Sequence, residues 1–112
     1  MITRIWHGWT TLENATTYEK LLKQEIFPSI EKKNIEGYQS IQLLMRPHED
    51  EVEFITVMSF DSWEAIKQFV GEDFSISYVP AKARGVLSRW DERAQHYETL
   101  EFINYQKDEI QR

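Results

Sequence analysis

The stretch Glu51–Asp73, EVEFITVMSFDSWEAIKQFVGED, constrains the fold more than any other part of the chain. In its first half, apolar residues alternate with polar ones and then occupy both sides of the pattern, as in a strand covered on both faces. The spacing then becomes helical, and Asp61 with Glu64 has the spacing of a capping box. Gly71 ends the helix, because glycine adopts positive φ without a Cβ clash. The stretch therefore predicts a central strand followed directly by an amphipathic helix.

The remaining elements follow from the same kinds of pattern. Alternating and β-branched residues predict strands at Ile2–Thr11, Tyr38–Arg46 and Arg93–Ile103. Pro80, which suits the first turn of a helix, opens a short helix through Leu87.

A longer helix is predicted after the first strand, with Asn14 or Thr16 as its N-cap. Pro28 lacks an N–H and presses on the carbonyl four residues earlier, so we expect a kink near Gln24 or a new helical start at Pro28. The apolar residues recur every three or four positions and define one buried stripe; they are Ala15, Tyr18, Leu21, Leu22, Ile26 and Ile30.

The order β-α-β-β-α-β is the split arrangement of ferredoxin-like α+β domains. Right-handed crossovers give an antiparallel sheet in the order 4-1-3-2, with both helices on one face. We assign residues 1–103 to this domain and 104–112 to a polar C-terminal tail. The opposite face of the sheet is left uncovered, and an exposed apolar sheet predicts a homodimer.

Composition excludes several classes of partner and chemistry. The chain has 112 residues, enough for one domain, and a net charge of −6 without clusters of basic and aromatic residues, so nucleic acid is not expected as a partner. It has no cysteine, which excludes disulfides, thiolate metal sites and cysteine nucleophiles. No apolar run reaches the roughly 18 residues of a membrane span, and no signal peptide is apparent. We therefore expect a cytoplasmic protein that does not associate with membranes.

Several segments resemble the antibiotic biosynthesis monooxygenase domain over about residues 1 to 100. They are IWHGW near the start, LLKQEIFPSIEKKNIEGYQSIQLL with its mid-helix proline, FITVMSFDSWEAIKQFVGED, and HYE near the end. The resemblance implies a dimeric α+β barrel, in which two sheets pack face to face and each subunit has a pocket between sheet and helices. Some members oxidise aromatic polyketides with molecular oxygen and without metal or flavin, and others have no established activity.

One branch of this family degrades haem, and the resemblance lets its key positions be compared. That branch has an asparagine in the first strand, a tryptophan near the end of the second helix and an iron-ligating histidine after it. The corresponding places here are His7, Phe69 and about Tyr78. None of the three groups is kept, so we expect neither haem nor any other cofactor.

Four residues are candidates for catalysis: His7, Trp63, Tyr78 and His96. If His7 and His96 share a face of neighbouring strands, they would form a proton relay, or a metal site with Glu98, although a structural role is the commoner fate of such residues. Tyr78 would donate a hydrogen bond to a substrate carbonyl. Trp63 would either pack the helix onto the sheet or present its N–H at the pocket mouth.

The two tryptophans of the first strand, Trp6 and Trp9, point to opposite faces. One should line the pocket and the other the dimer interface, and the pattern does not decide which. Arg46, Arg84 and Arg89 would pair with an anionic ligand or, more commonly, with surface carboxylates.

Two functions remain open. The first is a cofactor-independent monooxygenase that acts on a small aromatic or enolisable substrate; it requires a cavity of roughly 300 Å³ lined by at least two of the four candidates. The second is a non-catalytic dimeric domain that binds a small ligand or serves in stress.

Overall fold

One antiparallel sheet organises residues 1–105, the part of the chain that the computed structural model describes. Its neighbours run in the order β2-β3-β1-β4, and β5 also pairs with β1. The predicted order 4-1-3-2 is therefore confirmed, with two short strands in the place of the fourth. The strands are β1 (Ile2–Thr10), β2 (Tyr38–Pro47), β3 (Val52–Phe60), β4 (Arg89–Trp90) and β5 (Gln95–Glu98).

The pairing of β1 with β3 is the centre of the sheet. Its register is unbroken from Ile2 opposite Phe60 to Thr10 opposite Val52. Every even-numbered residue of β1 is buried, and every odd-numbered one is partly exposed. Because side chains alternate between faces, the even positions face the helices and the odd positions face the other side.

The helices cover one face of the sheet and contribute the predicted apolar stripe to the core. Tyr18, Leu22, Ile26 and Ile30 are all at most 7% exposed. The helices are α1 (Ala15–Leu21), α2 (Phe27–Glu31), α3 (Trp63–Val70) and α4 (Ala81–Arg84). No helix within residues 1–105 is long and apolar enough to cross a membrane.

A π-helical turn, Leu22–Ile26, joins α1 to α2. Pro28 lies in the first turn of α2, as the predicted new start requires, since its ring excludes a regular bond to the carbonyl four residues earlier. The wider π turn accommodates this conflict without breaking the chain direction, which is a known use of π-bulges.

The N-cap of α3 is Ser62, and the prediction of Asp61 was wrong. Ser62 has extended backbone angles, and its hydroxyl accepts a hydrogen bond from the Ala65 N–H at 3.1 Å. Asp61 directly follows β3, and its N–H donates to the Gly37 carbonyl. This bond holds Asp61 one residue before the N-cap position of α3. Gly71 closes the helix with φ of 101°, as expected of a glycine stop.

The caps predicted for the first helix find less support. Asn14 occupies the N-cap position but makes no side-chain cap bond, and Thr16 lies inside α1. The short helix expected from Pro80 to Leu87 is reduced to α4.

The last strand is shorter than the predicted Arg93–Ile103. β5 pairs Glu98 with Ile2, the first residue of β1, and the Thr99 N–H then donates to the Met1 carbonyl. The alternating pattern continues after Thr99, but no β1 residue lies opposite it, so pairing stops. Leu100 and Phe102 are 92% and 72% exposed. Most of the tail predicted at 104–112 lies outside the described residues.

The face of the sheet opposite the helices, which we call the open face, carries Ile5, Ile55 and Val57 in partly exposed positions. Leu44 of β2 lies opposite Ile55 and is 44% exposed. Within residues 1–105, no helix packs over this face.

The observed cap predicts a contrast between neighbouring variants. Ser62→Ala should lower the free energy of unfolding by about 1 kcal/mol, because it removes the hydroxyl that accepts from the Ala65 N–H at the start of α3. Asp61→Ala should cost clearly less, since its carboxylate makes no cap bond. Urea unfolding of the two variants measures the difference, and equal losses would contradict the assignment of the cap.

Candidate functional site

A small cavity lies between the helix-facing side of the sheet and the helices. Its volume is about 40 Å³, which is enough for a few atoms but below the roughly 300 Å³ of typical ligand pockets. Leu22 and Ile26 of the π turn form one wall, and Met58 of β3 forms the floor. The segment Tyr78–Ala83 closes the top. Most of the lining is apolar, so the few polar groups around it decide what it can recognise.

The strongest polar group on the cavity wall is Arg4, which is only 2% exposed. Its Nη1 donates to the Phe74 carbonyl at 2.7 Å, and its Nη2 donates to the Ile76 carbonyl at 2.7 Å. Nη1 also lies 3.1 Å from Nε2 of His96, and the guanidinium lies 5.5 Å from the centre of the Phe69 ring. Burial lowers the pKa of Arg4 to about 10, so the side chain stays charged at neutral pH.

Trp6 is the second polar group of β1 on this wall. Its Nε1 donates to Asp91 O at 2.8 Å and to Ser77 Oγ at 3.0 Å. Its ring lies over Gly8, where an added Cβ would come within 2.8 Å of Cη2. Because glycine has no side chain, the indole of Trp6 can occupy the space beside position 8.

Arg4 and Trp6 together hold the irregular segment that follows α3. Their donors reach Phe74, Ile76 and Ser77 in turn, and this contact places Tyr78 over the cavity. The Tyr78 ring packs against Phe69 with centroids 4.7 Å apart. The segment has one backbone bridge of its own, between Ile76 and Arg93, and the Arg4 side chain from the central strand binds two of its carbonyls.

His96 contacts Arg4 but does not line the cavity. It is directly opposite Arg4 in the β1–β5 register, and its ring packs against Trp63 at 5.6 Å and Phe74 at 5.4 Å. Desolvation, together with the nearby charge of Arg4, lowers the pKa of His96 to about 4. The imidazole is therefore neutral at physiological pH and can accept a hydrogen bond from the guanidinium.

His7 lies on the open face, away from the cavity. Its Nδ1 is 2.9 Å from Glu53 Oε2, and His48 Nε2 is 3.0 Å from the other oxygen of the same carboxylate. Hydrogen bonds from His48 and His7 lower the pKa of Glu53. The His7 ring stacks on Trp9 at 5.8 Å.

The structure does not bring the four candidates together. His7 and His96 project from opposite faces, because positions 4 and 7 of β1 differ in parity and His96 pairs with Arg4. No group of three potential metal ligands occurs within residues 1–105, so the site suggested for His7, His96 and Glu98 is not formed. Trp63 contacts His96, but it is 38% exposed and lies away from the cavity.

The cavity requirement for the monooxygenase hypothesis is also not met. Of the four candidates, Tyr78 alone lines the 40 Å³ space. Two open surface depressions of about 310 and 430 Å³ are large enough, but neither is lined by any of the four.

Sequence reasoning placed Trp6 and Trp9 on opposite faces, which the structure confirms, but it missed Arg4. The signal was present, since Arg4 lies two residues from Trp6 and so shares its face. Of the three arginines considered, Arg89 pairs with Glu51 at 2.7 Å, which confirms the expected surface carboxylate, and Arg84 donates to the Val79 carbonyl instead.

Comparisons with known proteins agree with the fold. No protein-family model matches the chain, and no curated protein matches it significantly. Among solved structures, it is similar to a Bacillus cereus protein described as an antibiotic biosynthesis monooxygenase, with a TM-score of 0.62, 14% identity and coverage of 93% of this chain and 97% of that one.

A second similar structure is MhuD, a haem-degrading protein of Mycobacterium tuberculosis with two haems bound in its active site. The TM-score is 0.56 at 17% identity, over 93% of this chain and 100% of that one. The chain therefore has the ferredoxin-like α+β fold of antibiotic biosynthesis monooxygenase proteins. At sequence identities of 14% and 17%, structural similarity establishes a shared fold but not a shared reaction.

The environment of His96 predicts a pH dependence of stability. A histidine pKa that is lower in the folded state makes the unfolded chain bind more protons between pH 6.5 and about 4. The free energy of unfolding should therefore fall as pH drops through this window and change no further on that account below pH 4. Because the ring is partly exposed, we expect the free energy of unfolding to fall by about 1–2 kcal/mol, which is less than the full pKa difference would give.

His96→Gln is the matched variant, because its side-chain oxygen can still accept from Arg4 but does not titrate. Chemical unfolding at pH 7 and pH 4 should show a smaller loss in this variant than in the unmodified protein. An NMR titration in which His96 takes up its proton near pH 6.5 would contradict the burial argument.

Proposed function

We propose that this chain is a homodimeric, cytoplasmic protein that binds a small molecule between its sheet and helices. The observation that carries the proposal is the partly open apolar cavity with a few polar groups at its wall, between the sheet and the helices. Its volume of about 40 Å³ limits the ligand to a few heavy atoms unless the wall moves.

Tyr78 and Phe27 are the parts of the wall best able to move. Both are partly exposed, unlike Leu22 and Ile26 behind them. Tyr78 also belongs to an irregular segment, and such segments often serve as lids. Rotation of its ring away from Phe69 would enlarge the cavity without disturbing the sheet.

Binding should depend on the space beside Ala83, which is buried and lines the cavity. Ala83→Leu should fill the cavity and weaken binding of small neutral fragments, such as propanol, phenol and cyclohexanone, at least tenfold. Methyl NMR titration measures this, with saturable shifts expected at Ile26 and Met58 and none at Ile55 on the open face.

Ala81→Leu is the matched control, since Ala81 lies in the same short helix but is exposed. It should bind the fragments as the unmodified protein does. The proposal fails if no fragment gives saturable shifts at the cavity methyl groups, or if both leucine variants behave alike.

The homodimer is supported by the open face, where Ile5, Ile55 and Val57 lie side by side without cover from any helix in residues 1–105. Burying such a patch against a second copy would remove apolar area from water. His7 and Glu53 at its edge would then lie at or near the subunit contact.

Ile55→Glu should convert the protein to monomers at micromolar concentration, because it places a charge at the centre of the open face. Light scattering measures the mass, which should be twice that of one chain without the substitution. Gln68→Glu adds the same charge on the exposed side of α3 and should leave the mass unchanged. A monomeric mass for the unmodified protein would refute the dimer.

A second candidate function is a cofactor-independent monooxygenase that acts on a small aromatic or enolisable substrate. It is favoured by the fold of the Bacillus cereus protein and by the Tyr78 side chain at the cavity wall, and it requires a movement of that wall that enlarges the cavity from about 40 Å³. Oxygen uptake with a panel of hydroquinone-like compounds tests it, and Tyr78→Phe should reduce the rate. Binding without oxygen uptake would leave only the first function.

Haem degradation fits the cavity poorly. Phe69 and Tyr78 lie where the haem-degrading branch would have its tryptophan and histidine, and their rings contact each other at 4.7 Å. His7, at the expected asparagine position, lies on the opposite face of the sheet. A haem would need several hundred Å³ on this face, so no residue here is assigned to it.

A further inference from the structure

The buried guanidinium of Arg4 has no negatively charged partner. No carboxylate within residues 1–105 comes within 4.0 Å of it, although Arg89 and Arg93 on the surface both have one. Charged groups buried to this extent are normally paired, because removing an unpaired charge from water costs several kcal/mol. Arg4 is therefore an exception that calls for an explanation.

Its hydrogen bonds are incomplete as well. A guanidinium has five N–H donors, and the contacts to Phe74, Ile76 and His96 use three of them. The Nε–H and the second Nη2–H have no acceptor among the described residues, and because no side-chain nitrogen there is both fully buried and unpartnered, the Nε–H keeps some contact with solvent. Since Arg4 lines the cavity, an acceptor held there can reach this side chain.

A purely structural role accounts for only part of this arrangement. The carbonyls of Phe74 and Ile76 need donors, and Arg4 supplies them. They carry no net charge, however, and His96 is neutral at physiological pH because its pKa is lowered to about 4. The positive charge is thus solvated by dipoles and by the Phe69 ring, and it remains available to an anion.

We propose that the cavity binds a small organic monoanion, with a carboxylate oxygen against Arg4 and an apolar body against Leu22, Ile26 and Met58. This inference rests on the proposed ligand-binding function and specifies the chemical class of the ligand. An arginine–carboxylate contact is charge-assisted and roughly twice as strong as a neutral hydrogen bond. The apolar wall would exclude strongly hydrated inorganic anions.

The experiment compares acids with their uncharged amides of nearly the same shape. The pairs are acetate and acetamide, butyrate and butyramide, and benzoate and benzamide, so that size varies independently of charge. At pH 7, the acid of the best-fitting pair should bind at least tenfold more tightly than its amide. NMR titration should show the Arg4 Nε–H resonance shifting together with the methyl groups of Ile26 and Met58.

Two substitutions assign the effect to Arg4. Arg4→Met should remove the preference for the acid, whereas Arg4→Lys should retain part of it, because the charge remains but the planar fork is lost. Arg89→Met, on the other face of the sheet, controls for general attraction of anions and should leave the preference intact. If Arg4→Met does not fold, the acid-to-amide ratio and the Nε–H shift in the unmodified protein still decide.

The outcomes separate the two proposals. Equal affinities for acid and amide overturn the anion inference and leave the ligand-binding function in place. Preference for the acid that survives in folded Arg4→Met also overturns it. Failure of every acid, every amide and the neutral fragments to bind at the cavity overturns both.

Discussion

The buried guanidinium of Arg4 is the interaction on which the site depends. It connects the central strand to the segment after α3 through the carbonyls of Phe74 and Ile76, and it connects that segment to β5 through His96. The same segment also pairs with the chain before β5 through the bridge between Ile76 and Arg93, so backbone and side-chain hydrogen bonds hold it together. The position of Tyr78 over the cavity follows from this arrangement.

The sheet order and the helical stripe were predictable because each rests on a repeated pattern. Nine consecutive residues of β1 alternate between buried and partly exposed, and the apolar spacing around Tyr18 and Leu22 identified the buried side of α1. Single positions were less predictable. Ser62 and Asp61 have similar capping chemistry, and only the backbone bond from Asp61 to Gly37 decides between them. The end of β5 depends on where β1 begins, which its own residues do not reveal.

The candidate site was predicted less well than the fold. His7 was chosen as a candidate because imidazole is a common catalytic group. The positions of β1 that face the cavity are instead those of Arg4 and Trp6, which share the face of Ile2. Applying the alternation already used for the two tryptophans would have separated His7 from Arg4 and Trp6, whereas the face of His96 follows from its pairing with Arg4 in the β1–β5 register. The contacts that Arg4 makes with His96 and the loop carbonyls span 70 to 92 residues of sequence, and no local pattern encodes them.

Gly8 has a consequence for the diversity of such proteins. The Trp6 indole rests where a side chain at position 8 would lie, with Leu87 also close by. Any larger residue there would push the ring toward the cavity or force Leu87 aside. In relatives of this chain, the residue at position 8 would therefore change the cavity volume without contacting a ligand. Ligand specificity would then depend on a residue outside the cavity lining.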